Sequence, residues 1–538
     1  MKAESCTYLG AGAVALAAAL LSACGGGGNS GFALAPAAPA PDAPARVTAK
    51  EACDKLNGKT IGGAAVTAEV MAATTDIPLS CRVSGKLQPS LNFELRLPND
   101  WNGKFHYRGG GGYNGSIPSL NYYGLRALQS GYATVSSDSG HQGANTDASF
   151  ALNNELAARL FGSESVPTVT AAAVSVLSAA YGRVPTRKYF EGCSNGGREG
   201  LMAIQRNPDL FDGVIAAAPA YNWVGFIGHF HKMANTVEAA DNSLTRDKIR
   251  LVASAVRASC DALDGVADGI VSNQKACNAQ FNYRSLRCPA GDDSGSGCLS
   301  DNQLTVLDAW TQDAVYQGSP SYRNSMHSLT GNEDSGGFER WVTGANGVRT
   351  SVQFAFADTT VKNYLARDPS ASALSYKPYD QNLTALDSMA ALNDATNPDL
   401  RPFKQRGGKL ILWHGSNDAV FSPENTARYY EQVKSAVGGQ GALDEFVQYY
   451  EKPGVEHCWG GPGADYVDHL KALDSWVSDG AAPKGLVVER RTVSNSIFSE
   501  NVEFSRPLCK YPGYARYVGP ANDAQAATRA SNFVCTGS

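Results

Sequence analysis

No cluster of lysine or arginine stands out in these 538 residues, whose formal net charge is -5 and whose charged fraction is only 18%. That argues against a nucleic-acid partner, because neutralising phosphates requires clustered positive charge. The apolar run near the start, Ala11 to Leu21, falls well short of the roughly 20 residues a spanning helix needs. No internal repeat of about 20 to 50 residues points to a solenoid or propeller. A shortage of apolar residues is also absent: at 43% hydrophobic, the chain is not disordered over most of its length. What remains is an ordinary globular composition. At about 150 residues per domain it allows three or four units, or one α/β core carrying a large insertion.

Lys2 followed by that apolar run has the charged start and apolar middle of a secretory signal over residues 1–24. Leu21-Ser22-Ala23-Cys24 resembles a bacterial lipobox, which would lipidate Cys24 and anchor the protein to the outer membrane. A plain cleavage signal would instead leave it periplasmic or secreted. Gly25 to Gly28 and the Ala/Pro stretch Ala33 to Arg46 make residues 25–46 a flexible, then stiffer tether. The folded protein is expected to begin near Val47.

Removing Cys6 and Cys24 with the leader leaves ten of the twelve cysteines, an even number suited to disulfides in an exported chain. Ten cysteines allow about 945 pairings, so the count alone decides nothing. Cys53 and Cys81, Cys260 and Cys277, Cys288 and Cys298, and Cys509 and Cys535 are near neighbours in sequence. Cys193 and Cys458 are left over, far apart in the chain.

Strand-like and helix-like segments alternate at both ends. Lys104 to Tyr107, Lys188 to Phe190, Gly213 to Ala217, Lys409 to Trp413 and Glu445 to Tyr449 read as strands; Ala171 to Tyr181, Arg198 to Arg206 and Pro423 to Val433 read as helices. This predicts one parallel-sheet α/β domain in two parts, residues 47–224 and 399–538. Residues 225–398 between them are polar, aromatic and rich in Gly, Ser and Asn. They are expected to form an inserted lid.

Gly192-Cys193-Ser194-Asn195-Gly196 fits G-x-S-x-G between an apolar strand and a helix, the setting of a nucleophile elbow. Glycine is needed there because a tight strand-to-helix turn has no room for side chains beside the serine. The partners should follow in the order acid, then histidine. Asp418 lies just past a strand in His414-Gly415-Ser416-Asn417-Asp418, and His457 lies in the loop after another strand, whereas His469 falls on a helical pattern. Cys193 directly precedes the candidate nucleophile and Cys458 directly follows the candidate base. A bond between them would hold the two residues adjacent, since a disulfide keeps its Cα atoms roughly 4.4 to 6.8 Å apart.

Gly192 to Gly200, His414 to Asp418 and His457-Cys458-Trp459-Gly460-Gly461 together resemble the tannase and feruloyl esterase family, over about Cys53 to Cys535. The resemblance implies an α/β-hydrolase core with an inserted lid, Ser194, Asp418 and His457 as a catalytic triad, and a Cys193–Cys458 disulfide. It also implies oxyanion donors at the backbone of Asn195 and Gly112, and pocket positions at Trp223 and His414. The substrate would be a small aromatic ester of the feruloyl or galloyl type, or a terephthalate monoester. A serine peptidase or a non-catalytic surface binding protein on the same fold is the alternative; a complete triad disfavours the binder.

Asp261, Asp264 and Asp268 crowd into one Gly-containing segment. Three carboxylates so close repel unless a cation sits among them, and oxygen ligands favour Ca²⁺, with the carbonyls of Val266 and Ile270 completing the shell. The flanking Cys260 and Cys277 would suit a structural metal. His229 and His231 have no third ligand in sight. In the expected lid, Trp341, Phe354 and Phe356 are candidates to stack on an aromatic acyl group, and Arg349 to pair with a carboxylate.

Overall fold

The computed structural model of the chain describes residues 47–239, 242–316, 322–377, 379, 383–492, 501–521 and 523–537. The expected signal and tether, residues 1–46, lie outside them. Ten strands make the central sheet: β1 (Thr60–Ile61), β2 (Ala64–Met71), β3 (Ser80–Leu87), β4 (Leu91–Pro98), β5 (Lys104–Arg108), β6 (Ala133–Ser137), β7 (Arg187–Cys193), β8 (Gly213–Ala217), β9 (Lys409–Gly415) and β10 (Val447–Lys452). Their spatial order is β1-β2-β3-β4-β6-β5-β7-β8-β9-β10. Pairing is antiparallel from β1 to β4 and between β4 and β6, and parallel from β6 onward. The parallel sheet read from the sequence therefore covers six strands, and the antiparallel β1–β4 wing is an addition to it.

Among the parallel strands, β8 and the Leu410–Trp413 stretch of β9 read as unbroken apolar runs because both faces are covered. In β8, Val214 and Ala216 join one cluster with Leu201 and Ile204 of the helix Asn195–Arg206. Ile215 and Ala217 point the other way, against Leu473 and Trp476 of the helix His469–Asp479. Period-two alternation thus feeds two separate helix layers.

Between β8 and β9 no segment of the described chain joins the central sheet. That stretch builds its own core around Val252, Val256, Leu304, Leu307 and Trp310. A second cluster, with Trp223, Phe226, Phe230 and Phe356, includes Phe421 from beyond β9 and so ties the stretch to the sheet's edge. Among the described residues five disulfides close the fold: Cys53–Cys81, Cys193–Cys458, Cys260–Cys277, Cys288–Cys298 and Cys509–Cys535.

Candidate active site

Four chemistry-bearing segments leave the carboxyl ends of parallel strands: Gly109–Gly112 after β5, Ser194 after β7, Asp418 after β9 and His457 after β10. Open α/β sheets present their ligand sites at that edge. β7 ends at Cys193 and its helix begins at Asn195, so Ser194 alone makes the turn, at φ 63° and ψ -125°. Positive φ is strained for serine. It is held by Ser194 N–H donating to the Ala217 carbonyl at 3.0 Å and by the Arg198 N–H donating to the Ser194 carbonyl at 3.1 Å. A Cβ on Gly192 would lie 2.4 Å from the Gly196 carbonyl carbon, and one on Gly196 would lie 2.8 Å from the Gly110 oxygen. The elbow closes only with glycine at both places.

The His457 Nδ1–H donates to Asp418 Oδ2 at 2.7 Å, which leaves Nε2 as the basic nitrogen. Asp418 is buried, and burial works against its charge. The His457 imidazole and the donors around it prevail, holding its carboxyl well below the usual carboxylate range. Oδ1 accepts from the Val420 and Phe421 N–H groups at 2.7 and 3.1 Å. Oδ2 also accepts from His414 Nε2 at 3.0 Å. The Cys193–Cys458 bond sets the Cα atoms beside Ser194 and His457 at 5.9 Å. Among the described residues Ser194 Oγ makes no hydrogen bond; contacts of this kind commonly tighten in the substrate complex.

Gly112 sits at φ +57°, and a Cβ there would meet the Asn145 oxygen at 2.2 Å. Its N–H and that of Asn195 have no acceptor among the described residues, so both are available to a developing oxyanion. Behind them lies a network that the sequence reading missed. Buried Glu199 accepts from Gly110 N–H at 3.0 Å and from the side chains of Asn114 at 2.7 Å and Asn195 at 3.2 Å, tying the glycine run to the elbow. Fully buried Arg198 donates to Asn195 Oδ1 at 2.7 Å and to the carbonyls of Phe161 at 2.9 Å and Gly162 at 2.7 Å.

The family model for tannase and feruloyl esterase matches residues 72–536. The chain belongs to that family. It is therefore a carboxylic ester hydrolase. Its relatives include mono(2-hydroxyethyl) terephthalate hydrolase of Piscinibacter sakaiensis, 32% identical over 91% of this chain and 92% of that one. Feruloyl esterase C of Talaromyces stipitatus is 29% identical over 82% and 83%. Among solved structures, feruloyl esterase B from Aspergillus oryzae superposes with a TM-score of 0.77 at 25% identity, covering 91% of this chain and all of its own.

In this esterase a cleft of about 490 Å³ holds Ser194, His457, Gly112 and Asn195. Three of the sequence candidates, Trp223, Trp341 and Phe356, line it together with Phe226, Phe230 and Phe421. Three expected pocket residues do not. His414 is wholly buried in β9 behind Asp418, with Nδ1 against Thr426 Oγ1 at 2.8 Å, and its contact is with the acid. Phe354 lies on the helix Val352–Thr360, whose residues 352 and 356 face the cleft; two positions from each, it turns into the protein. Arg349 points to solvent and is held by Glu238 at 2.7 and 3.0 Å. Arg340, unremarked in the sequence, does line the cleft, 5.8 Å from the Trp341 ring. It has no acidic partner among the described residues.

Asp261, Asp264 and Asp268 lie on one loop outside the cleft. Asp261 accepts from the Asp268 and Gly269 N–H groups at 3.2 and 3.0 Å, and Asp268 pairs with Arg506. Among the described residues no three His, Cys, Asp or Glu side chains already converge as a metal cage. Yet Asp264, 1% exposed, has an Oδ2 without a partner. Burial, with repulsion from Asp268 and Asp261, pushes its carboxyl up to about 6. An orphaned buried carboxylate oxygen beside two other carboxylates fits a hard cation. His229 and His231 do not form a metal pair: His229 stacks against His327, and His231 Nε2 bonds the Tyr376 carbonyl at 2.7 Å.

Proposed function

We propose that this protein hydrolyses esters of aromatic acids through an acyl-enzyme on Ser194. His457 Nε2 takes the proton of Ser194 Oγ as it attacks the ester carbonyl, while Asp418 holds the ring's tautomer and stabilises its positive charge. The N–H groups of Gly112 and Asn195 stabilise the oxyanion, each at about 10² to 10³ in rate. His457 then protonates the departing alkoxide, and water attacking by the same route frees the acid. The observation that carries this reading is the 2.7 Å bond from His457 Nδ1 to Asp418, on a loop bonded through Cys458 to the residue before Ser194. Support for an aromatic acyl group is the apolar wall of Trp223 with Phe226, Phe230 and Phe356, the last three contributed by a segment, residues 225–398, that acts as a lid. The decisive experiment is turnover of methyl ferulate, methyl gallate and a terephthalate monoester by the purified protein and by Ser194→Ala. The variant should lose at least ~10³-fold, and retention of more than a few per cent would overturn the triad.

Arg340 favours a second reading. An unpaired guanidinium beside Trp341 suits an acyl group with a free carboxylate, so Arg340→Gln should penalise the terephthalate monoester more than methyl ferulate. The Asp261, Asp264 and Asp268 loop, with the carbonyls of Val266 and Ile270, is the place for a structural Ca²⁺, which would neutralise the loop and take no part in the chemistry. Five disulfides suit an oxidising compartment, in line with an exported protein. Lipidation at Cys24 would anchor it.

A further inference from the structure

The three most exposed aromatic rings among the described residues are Trp459, Tyr122 and Tyr123, at 56%, 49% and 38%. They form one patch: Tyr122 and Tyr123 are 4.8 Å apart between ring centroids, and Tyr123 and Trp459 are 6.2 Å apart. Single exposed apolar residues need no explanation, but a contiguous aromatic trio on the rim of a cleft does. Two of the rings follow the glycine run and the third follows His457-Cys458, so folding brings them together from distant segments. The patch is also fixed. Trp459 is the residue after disulfide-bonded Cys458, and Arg108, paired with Glu191 at 3.1 Å, lies 5.4 Å from the Tyr123 ring. Tyr123 and Trp459 line the same cleft as Ser194.

We propose that Trp459, Tyr123 and Tyr122 form a leaving-group subsite that stacks on an aromatic ring carried by the alcohol half of the ester. This rests on the esterase reading above and adds the alcohol to it. The order of bond changes assigns the half. The bond from carbonyl carbon to alcohol oxygen breaks first, the alcohol takes its proton from His457, and the acyl group stays on Ser194. The alcohol must therefore leave without crossing the acyl group. Trp223, Phe226, Phe230 and Phe356 make a closed wall, none more than 8% exposed, suited to the half that stays. The open wall, two residues from His457, suits the half that leaves.

The kind of alcohol follows from what borders the patch. Arg108 is engaged by Glu191, and Glu456 accepts from Ser335 Oγ at 2.5 Å. A polyol would find Arg108 and Glu456 already committed, whereas an arene gains edge-to-face and offset contacts with exposed rings.

The test uses the full protein and three esters of one aromatic acid: methyl, benzyl and glucosyl. Methanol and benzyl alcohol have similar acidity, so the chemistry alone does not separate their esters. Wild type should favour benzyl over methyl by about ten-fold in kcat/KM, and Trp459→Leu and Tyr123→Leu should each cut that preference to about three-fold or less. Benzyl alcohol added during methyl ester turnover supplies a second readout. It attacks the acyl-enzyme in place of water, giving benzyl ester and free Ser194, and the benzyl ester share should fall in both variants. Both are ratios within one preparation, so a partly unfolded variant does not distort them. An unchanged ratio in both variants overturns the subsite. A larger loss on the glucosyl ester than on the benzyl ester overturns the aromatic occupant. Failure of wild type to turn over any of the three refutes the esterase reading instead.

Discussion

Replacing both Cys193 and Cys458 by alanine tests whether the disulfide serves chemistry or only stability. Its loop spans 265 residues. In the chain-entropy model, closing a loop that long contributes at most about 5.5 kcal/mol. If this were its whole effect, the variant would melt at a lower temperature but turn over normally wherever it is folded. The geometry says more. Cys458 lies at φ +69° and Ser194 at φ +63°, so strained residues stand at both ends of the link. The bond holds the two Cα atoms at 5.9 Å, and His457 is positioned otherwise by Asp418. Freed of the link, the loop should drift, and a displacement near 1 Å can cost about 10²-fold in rate. The assay is kcat on methyl ferulate, normalised to active sites by an acylating titrant, well below the variant's melting temperature. A fall of about 10- to 100-fold in kcat is expected. A lowered melting temperature with kcat unchanged would refute the reasoning, as would a disulfide map pairing either cysteine elsewhere.

Three further outcomes are expected. Thr426→Val removes the hydroxyl facing His414 Nδ1 at 2.8 Å and should lower kcat about ten-fold with little change in KM, while Thr426→Ser stays near wild type; equal rates for the two variants would show that His414 is merely packed. Chelation should lower the melting temperature and added Ca²⁺ restore it, by about 2.7 kcal/mol at a hundred times its Kd; metal-free protein with no response to Ca²⁺ would count against the loop. His327 is 2% exposed, stacked 3.7 Å from Trp310, and burial pushes its imidazole down to about 3. The native state thus refuses a proton that the unfolded chain takes below about pH 6.5, so stability falls with acidification, by up to about 2 kcal/mol at pH 5. His327→Phe should flatten the fall in melting temperature between pH 7 and 5, and an unaltered slope would remove His327 from the account.

What was legible in the sequence was whatever depends on local rules. The elbow needs glycine at 192 and 196 because backbone meets backbone there, and such a requirement is written in adjacent residues. β8 and β9 are continuous apolar runs because they are buried on both faces. The antiparallel wing was less visible, since β3 and β4 are partly exposed and mix charged with apolar residues. Side-chain direction was not legible either. Arg349 and Arg340 are nine residues apart in one polar stretch, and only the fold decides that one meets Glu238 and the other the cleft. His414 looked like a pocket residue because it belongs to the motif before Asp418. In the strand it points behind the acid, so the motif marks Asp418's support as much as Asp418. Glu199 had a signal, two helix positions past Gly197 in the elbow sequence, but its partners Gly110 and Asn114 lie on a loop that no spacing rule connects to it.

These placements divide the labour between two parts of the chain. The carboxyl edge of the parallel strands carries Ser194, His457, Asp418 and the N–H groups of Gly112 and Asn195, the proposed triad and oxyanion donors, and their partners are backbone groups and buried side chains such as Glu199, Arg198 and His414. The segment between β8 and β9 contributes most of the closed aromatic wall and Arg340. The open rim comes from the core again, through Tyr123 and Trp459. Acyl specificity can therefore change by substitution between β8 and β9 without moving the triad. Alcohol specificity cannot be separated so freely, because Trp459 shares a loop, and through Cys458 a disulfide, with His457, the proposed base.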